Sequence, residues 1–158
     1  YKHIGADVIG KSTESFRQVL MLNRGTHDGV KAGQAVVVKN AVLLGKIIRV
    51  EDTRSFVQLV SDYRSIIAGS LISGENTIGV VEGGSGMSLG MGFIPQDQTI
   101  NIGDTIVTSG LDTLIPRGLL IGKVVAVEKE PYEPFQRAII TPLAGVTSAS
   151  VVSIILEQ

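Results

Sequence analysis

Two stretches of the chain carry nearly the same text: Leu43-Leu44-Gly45-Lys46-Ile47-Ile48-Arg49-Val50-Glu51 and Leu120-Ile121-Gly122-Lys123-Val124-Val125-Ala126-Val127-Glu128. Both run apolar, apolar, Gly, Lys, then branched aliphatics up to a final Glu, and their glycines stand 77 positions apart. The preceding residues extend the match: Val30-Lys31-Ala32-Gly33-Gln34-Ala35-Val36-Val37 aligns with Ile100-Asn101-Ile102-Gly103-Asp104-Thr105-Ile106-Val107 at an offset of 70. Self-similarity at such a distance points to two related structural units. The second copy is seven residues longer between its landmarks, with the extra length around Thr108-Ser109-Gly110-Leu111 and Ile115-Pro116-Arg117-Gly118.

A chain of 158 residues has room for two very small units packed together. The expected division is 1–74 and 75–158, with a terminal strand free to return to the other unit. A hydrophobic content of 44% supports a real core, yet the apolar runs are four or five residues long, far from the ~20 that cross a bilayer. The stretch is therefore expected to be soluble. Because it starts at Tyr1, a membrane anchor or targeting signal is expected to lie outside it.

The apolar segments are rich in Val and Ile and are separated by Gly, Asn, Asp, Ser or Pro, the punctuation of an all-β protein. Strands are predicted near 6–10, 17–23, 35–39, 43–50, 55–60, 66–72, 77–81, 89–94, 105–108, 120–128, 136–141 and 150–156. The nearest helical candidate, 12–23, could cap at Ser12 with Ser15 three residues on, but Val19-Leu20-Met21-Leu22 favours a buried strand. The glycine-rich stretch 83–92 reads as a surface loop entering a strand. It lacks both the Gly-x-Gly-x-x-Gly spacing before a helix and a Gly-Lys-Ser/Thr ending, so it is not a nucleotide loop.

Composition closes off several functions. Fourteen basic and fifteen acidic residues give a net charge of −1 without a basic block, so the footprint of a nucleic-acid binder is missing. Aromatics are 4% with no Trp, which undersupplies both stacking platforms for single strands and faces for sugars. With no Cys there is neither a disulfide framework nor a thiolate zinc site, and His3 and His27 lack carboxylates at ligand spacing; no metal and no cofactor are expected.

The segment Leu22-Asn23-Arg24-Gly25-Thr26-His27-Asp28-Gly29-Val30-Lys31-Ala32-Gly33-Gln34 joins a strand end to a glycine turn and the phrase Asp-Gly-Val-x-x-Gly. With Gly103-Asp104-Thr105-Ile106-Val107-Thr108-Ser109-Gly110-Leu111, Pro116-Arg117-Gly118 and the two strands bearing Gly45 and Gly122, it resembles the extracytoplasmic β-domain of the rod-shape-determining MreC family. The resemblance covers essentially the whole chain. It implies two small, related six-stranded β-barrels packed together, with a superficial likeness to chymotrypsin-type double barrels. It further implies a non-enzymatic scaffold of the bacterial cell-elongation machinery. That scaffold lies outside the cytoplasmic membrane, in the periplasm of a Gram-negative, anchored through an N-terminal segment that a coiled coil follows. A class B penicillin-binding transpeptidase and other elongation-complex membrane proteins would be its partners, and the full-length protein would self-associate.

The rival readings are a serine hydrolase and an oligonucleotide-binding barrel. His27, Asp62 or Asp104, and Ser109 occur in the chain order of a chymotrypsin-type triad, but Ser109 sits in Thr-Ser-Gly-Leu and His27 in a glycine turn. Ser109 is expected to end a strand, and Asp28 and Asp104 to accept backbone N–H bonds in turns. For protein contact, the mixed-charge hairpin Glu128-Lys129-Glu130-Pro131-Tyr132-Glu133-Pro134 offers Tyr132 and Phe135 as anchors. The longer loop of the second copy offers Leu114 and Ile115, for which burial under the barrel is favoured over partner contact. An unpaired sheet edge is a further possible docking platform.

Overall fold

The computed structural model describes residues 1–12, 14, 17–39, 41–73, 77–84, 88–144 and 150–157. Twelve strands run through these residues: β1 Lys2–Lys11, β2 Val19–Leu22, β3 Ala35–Val38, β4 Val42–Val50, β5 Ser55–Leu59, β6 Ile66–Leu71, β7 Ile78–Gly83, β8 Leu89–Pro95, β9 Thr105–Thr108, β10 Leu120–Glu128, β11 Phe135–Pro142 and β12 Val151–Glu157. Each overlaps a strand expected from the sequence. Ser15 of the considered helix cap, and 85–87 of the glycine-rich stretch, lie outside the described residues.

The strands form one continuous ladder in the order β11-β8-β7-β6-β9-β10-β4-β3-β12-β1-β2-β5. Two further pairings, β11 with β10 and β4 with β5, fold it into two closed six-stranded rings. The chain does not change ring at one cut. β6, which precedes residue 74, belongs to the second ring, and β12 returns from the far end of the sequence to sit between β1 and β3 in the first. Closure gives every strand among the described residues a neighbour on both sides, whereas strand addition requires a free edge.

The internal repeat holds down to hydrogen-bond register. In the first ring Val36 pairs with Gly45 and Val37 with Leu43; in the second Ile106 pairs with Gly122 and Val107 with Leu120. Both hairpins carry their register shift at these matched positions. A second matched irregularity falls between Ile47 and Arg49 in one ring and between Val124 and Ala126 in the other. Such bulges bend a strand and increase its twist, as a six-stranded ring demands. The glycines serve the same tight spot: a Cβ on Gly45 would stand 2.8 Å from the Gln58 carbonyl carbon and 3.0 Å from Leu59 Cα, and one on Gly122 would stand 2.6 Å from Ile140 Cγ2 and 3.0 Å from the Thr141 carbonyl carbon.

The seam between the rings explains why β3 and β4 are apolar without alternation. Val36, Val42, Leu44 and Ile47 fill the first barrel, whereas Ala35, Val37 and Leu43 on the opposite faces join the core of the second. A strand buried on both faces reads as a continuous hydrophobic run. At the seam Leu120 bridges in parallel to Val42, and its N–H donates to the Ala41 carbonyl at 2.8 Å. The Lys46 ammonium, on the same strand, donates to the Ile66 carbonyl at 3.2 Å.

Candidate partner-binding surfaces

The turns singled out in the sequence are occupied by structural duties. Gly25 N–H donates to Asp28 Oδ2 at 3.1 Å, Gly29 closes the short helical turn Thr26–Asp28 at φ 86°, and the N–H groups of Thr26 and His27 dock on the carbonyls of Glu51 and Asp52. Gly25 has no room for a side chain there, since a Cβ would lie 2.6 Å from both Arg54 N and Asp52 O. The facing β4–β5 turn is cross-linked by Glu51, which bonds to Arg54 and Arg49; the Arg54 hydrogen bond is the main cause holding its carboxyl below the ordinary value.

Gly33 and Gly103, at φ 98° and 95°, occupy matched turns. Their N–H groups donate to Ile47 and Val124, while Gln34 Oε1 and Asp104 Oδ2 accept from the N–H three residues earlier, each at 2.8 Å. Thus Asp104 and Gln34 do one job in two copies.

The triad candidates are engaged separately. Ser109 Oγ accepts from Leu111 N at 3.3 Å, Asp104 from Asn101 N, and His27 is exposed on the turn that rests on the first barrel. Asp62 is fully buried. Its Oδ2 accepts from Gln18 N at 2.7 Å and Arg17 Nε at 3.3 Å, and its Oδ1 from Arg64 N at 2.9 Å and Gln58 Nε2 at 3.5 Å. Nothing in the residue types around it announces this role; only the buried position of the β5–β6 connection reveals it. Among the described residues no group of three or more His, Cys, Asp or Glu is placed to hold a metal ion.

The seven extra residues form a strap between β9 and β10. Thr108 Oγ1 donates to the Pro116 carbonyl at 2.6 Å and accepts from Leu119 N at 2.9 Å, Gly110 packs on Arg117 at φ 87°, and Gly118 turns at φ 93°. Asp112 Oδ2 accepts from Ala68 N at 3.0 Å, fixing the strap to β6. Ile115 is only 2% exposed inside the second core, where a partner could not reach it without lifting the strap. Leu114 stays 37% exposed while covering Gly33 of the first barrel.

The other pair ends at an exposed tip of the second barrel. Tyr132 is fully exposed at φ 75°, and Phe135 meets Phe93 edge to face, with centroids 5.5 Å apart and planes at 68°. Sequence reading missed Phe93, which sits on β8 at φ 59° with most of its surface in water. Its one available signal is an aromatic residue where strand alternation would place it outward. A separate open groove of 340 Å³ on the first barrel is floored by Val19, Met21 and Phe56 and edged by Lys11, Arg17 and Arg49.

A family model described as rod shape-determining protein MreC, barrel core, matches residues 8–156. The cell shape-determining protein MreC of Bacillus subtilis (strain 168) is 32% identical over 165 residues, which cover 98% of this chain and 57% of that protein. The chain thus spans about half the length of the curated relatives it matches. A solved MreC structure from Listeria monocytogenes superposes with a TM-score of 0.89 at 27% identity, covering 98% of this chain and 75% of the other. The fold is shared as well with a structure described as a complex between penicillin-binding protein PBP2 and MreC from Helicobacter pylori: TM-score 0.77, 21% identity, 98% of both chains.

Proposed function

This chain belongs to the MreC family, and on that premise we propose that it is a non-catalytic scaffold of the bacterial cell-elongation machinery, working by protein contacts. The observation that carries the reading is the match of the family model from residue 8 to residue 156, the length of both rings. The Helicobacter pylori relative assembled with PBP2 supports a class B penicillin-binding transpeptidase as the first partner. The engagement of Asp62, Asp104 and Ser109 in separate local bonds favours a scaffold over a hydrolase. The domain works on the extracytoplasmic side of the membrane, held there in the full-length protein by an N-terminal anchor, with self-association through that longer chain. The two rings are its two units, the first completed by β12.

The test is made in rod-shaped cells depleted of their own MreC. Full-length protein carrying these barrels restores rods, and a version with the barrels deleted leaves round cells; rods without the barrels would overturn the reading.

Within the surface, Tyr132 and Phe135 are partner contacts, while Leu114 serves first as a cover over Gly33. Leu114→Asp is expected to cost about 1 kcal/mol, or roughly 2–4 °C of melting temperature, read by thermal unfolding. Unchanged melting combined with lost transpeptidase binding would instead make Leu114 a contact residue.

A further inference from the structure

We infer that Phe93, Tyr132 and Phe135 form a preformed docking knob for a protein surface that offers an apolar pocket bordered by Lys and Arg side chains; this rests on the scaffold reading above and names the partner's chemistry. Three of the chain's seven Phe and Tyr residues stand on this one rim, all exposed. Two of them hold a positive φ, a genuine outlier for a bulky residue, which persists only where the surroundings over-determine it. Burial would be the usual return for such strain. At Tyr132 the positive φ belongs to the Glu130–Glu133 turn, closed by the Glu133 N–H on the Glu130 carbonyl at 3.2 Å; Phe93 holds it within a strand and still faces water, so the use of that ring lies outside the fold.

The surroundings fix the backbone beneath the knob. Gln96 bonds from its backbone N–H to the Pro134 carbonyl at 3.2 Å and from its side-chain amide to the Glu130 carbonyl at 3.0 Å, tying the end of β8 to the β10–β11 turn. Beneath it the buried Gln136 amide donates to the carbonyls of Pro95 at 3.0 Å and Gln98 at 2.6 Å. The Phe93–Phe135 pair, packed edge to face on this bonded backbone, loses little conformational freedom on binding, which is the profile of an interface hot spot, and Tyr132 adds exposed aromatic surface from the neighbouring turn.

Charge selects the occupant. The exposed carboxylates of Asp97, Glu128, Glu130 and Glu133 outnumber the cations of Lys129 and Arg137 two to one, and none of the four is ion-paired among the described residues. Such a rim repels an anionic lipid surface and a second identical tip, and it steers in a partner with a basic border.

The experiment measures binding of the chain to immobilised, purified elongation transpeptidase at low and high salt, alongside thermal unfolding. Tyr132→Gly and Phe93→Asn accept positive φ, so each is expected to melt at or above the parent temperature while binding about tenfold more weakly or worse. The double charge reversal Glu130→Lys, Glu133→Lys is expected to weaken binding at low salt and to abolish the parent's loss of affinity with rising salt. If the parent binds and both aromatic variants bind within twofold of it, the knob is overturned while the scaffold reading stands. If the parent does not bind, both fall. A melting temperature that drops together with affinity would make these residues folding elements, and Tyr132-dependent sedimentation with phosphatidylglycerol vesicles would make lipid the occupant; either result overturns the proposal.

Discussion

Gly45→Ala is expected to lower the stability of the chain by about 3 kcal/mol or more, and Gly122→Ala to do the same in the second barrel. The added methyl group in the first case points into the backbone of β5, not into a side chain that could turn away. To make room β4 must separate from β5, which loosens ladder hydrogen bonds worth about 1 kcal/mol each in addition to overpacking strain of roughly 1–3 kcal/mol. Domains of this size stand about 5–15 kcal/mol above unfolding, and each kcal/mol moves the melting temperature by roughly 2–4 °C. Each single variant should therefore melt about 6–12 °C below the parent, read by circular dichroism or calorimetry. Gly5→Ala is the control: a Cβ there meets nothing within 4 Å, and its melting should match the parent. Parent-like melting of Gly45→Ala would mean that the two strands do not approach as described.

Asp62→Ala should be as damaging for an electrostatic reason. The carboxylate is fully buried and accepts from two backbone N–H groups, the Arg17 guanidinium and the Gln58 amide. Removing it leaves Gln18 N–H and Arg64 N–H without their acceptor and Arg17 without its counter-charge. Breaking a buried ion pair from one side costs about 3–5 kcal/mol. The loss spreads across both rings, because the Asp62 connection lies directly under Gly83 at the end of β7, where a Cβ would come within 2.6 Å of the Asp62 carbonyl carbon. Urea unfolding monitored by circular dichroism should show a lower midpoint. Asp62→Asn keeps one acceptor oxygen and is expected to fall between the two. A parent-like midpoint for Asp62→Ala would remove the anchor role.

Much of the fold was legible because its rules are local. Gly45 and Gly122, with Gly33 and Gly103, mark the same bends in two copies, and the offset between copies carries through to identical pairings and bulges. The path of β12 was open, because its pairing with β1 joins chain ends through side chains that carry no mark of their partner. Leu114 and Ile115 show a similar limit: in a strap without strand alternation, two adjacent aliphatics give no period to tell inside from outside. Asp62 was singled out only as one possible triad member, since residue order says nothing about burial. At the tip, the two prolines around Tyr132 pointed to the hairpin, but the Phe93 ring arrives from a strand more than forty residues away.

A calorimetric titration of this chain with the extracytoplasmic region of its cognate class B transpeptidase tests the scaffold claim most directly. Saturable one-to-one binding is expected, at a Kd of about 1 μM or tighter, near −8 kcal/mol. No heat of binding at concentrations of about 100 μM would contradict it, and would move the partner contact out of these barrels.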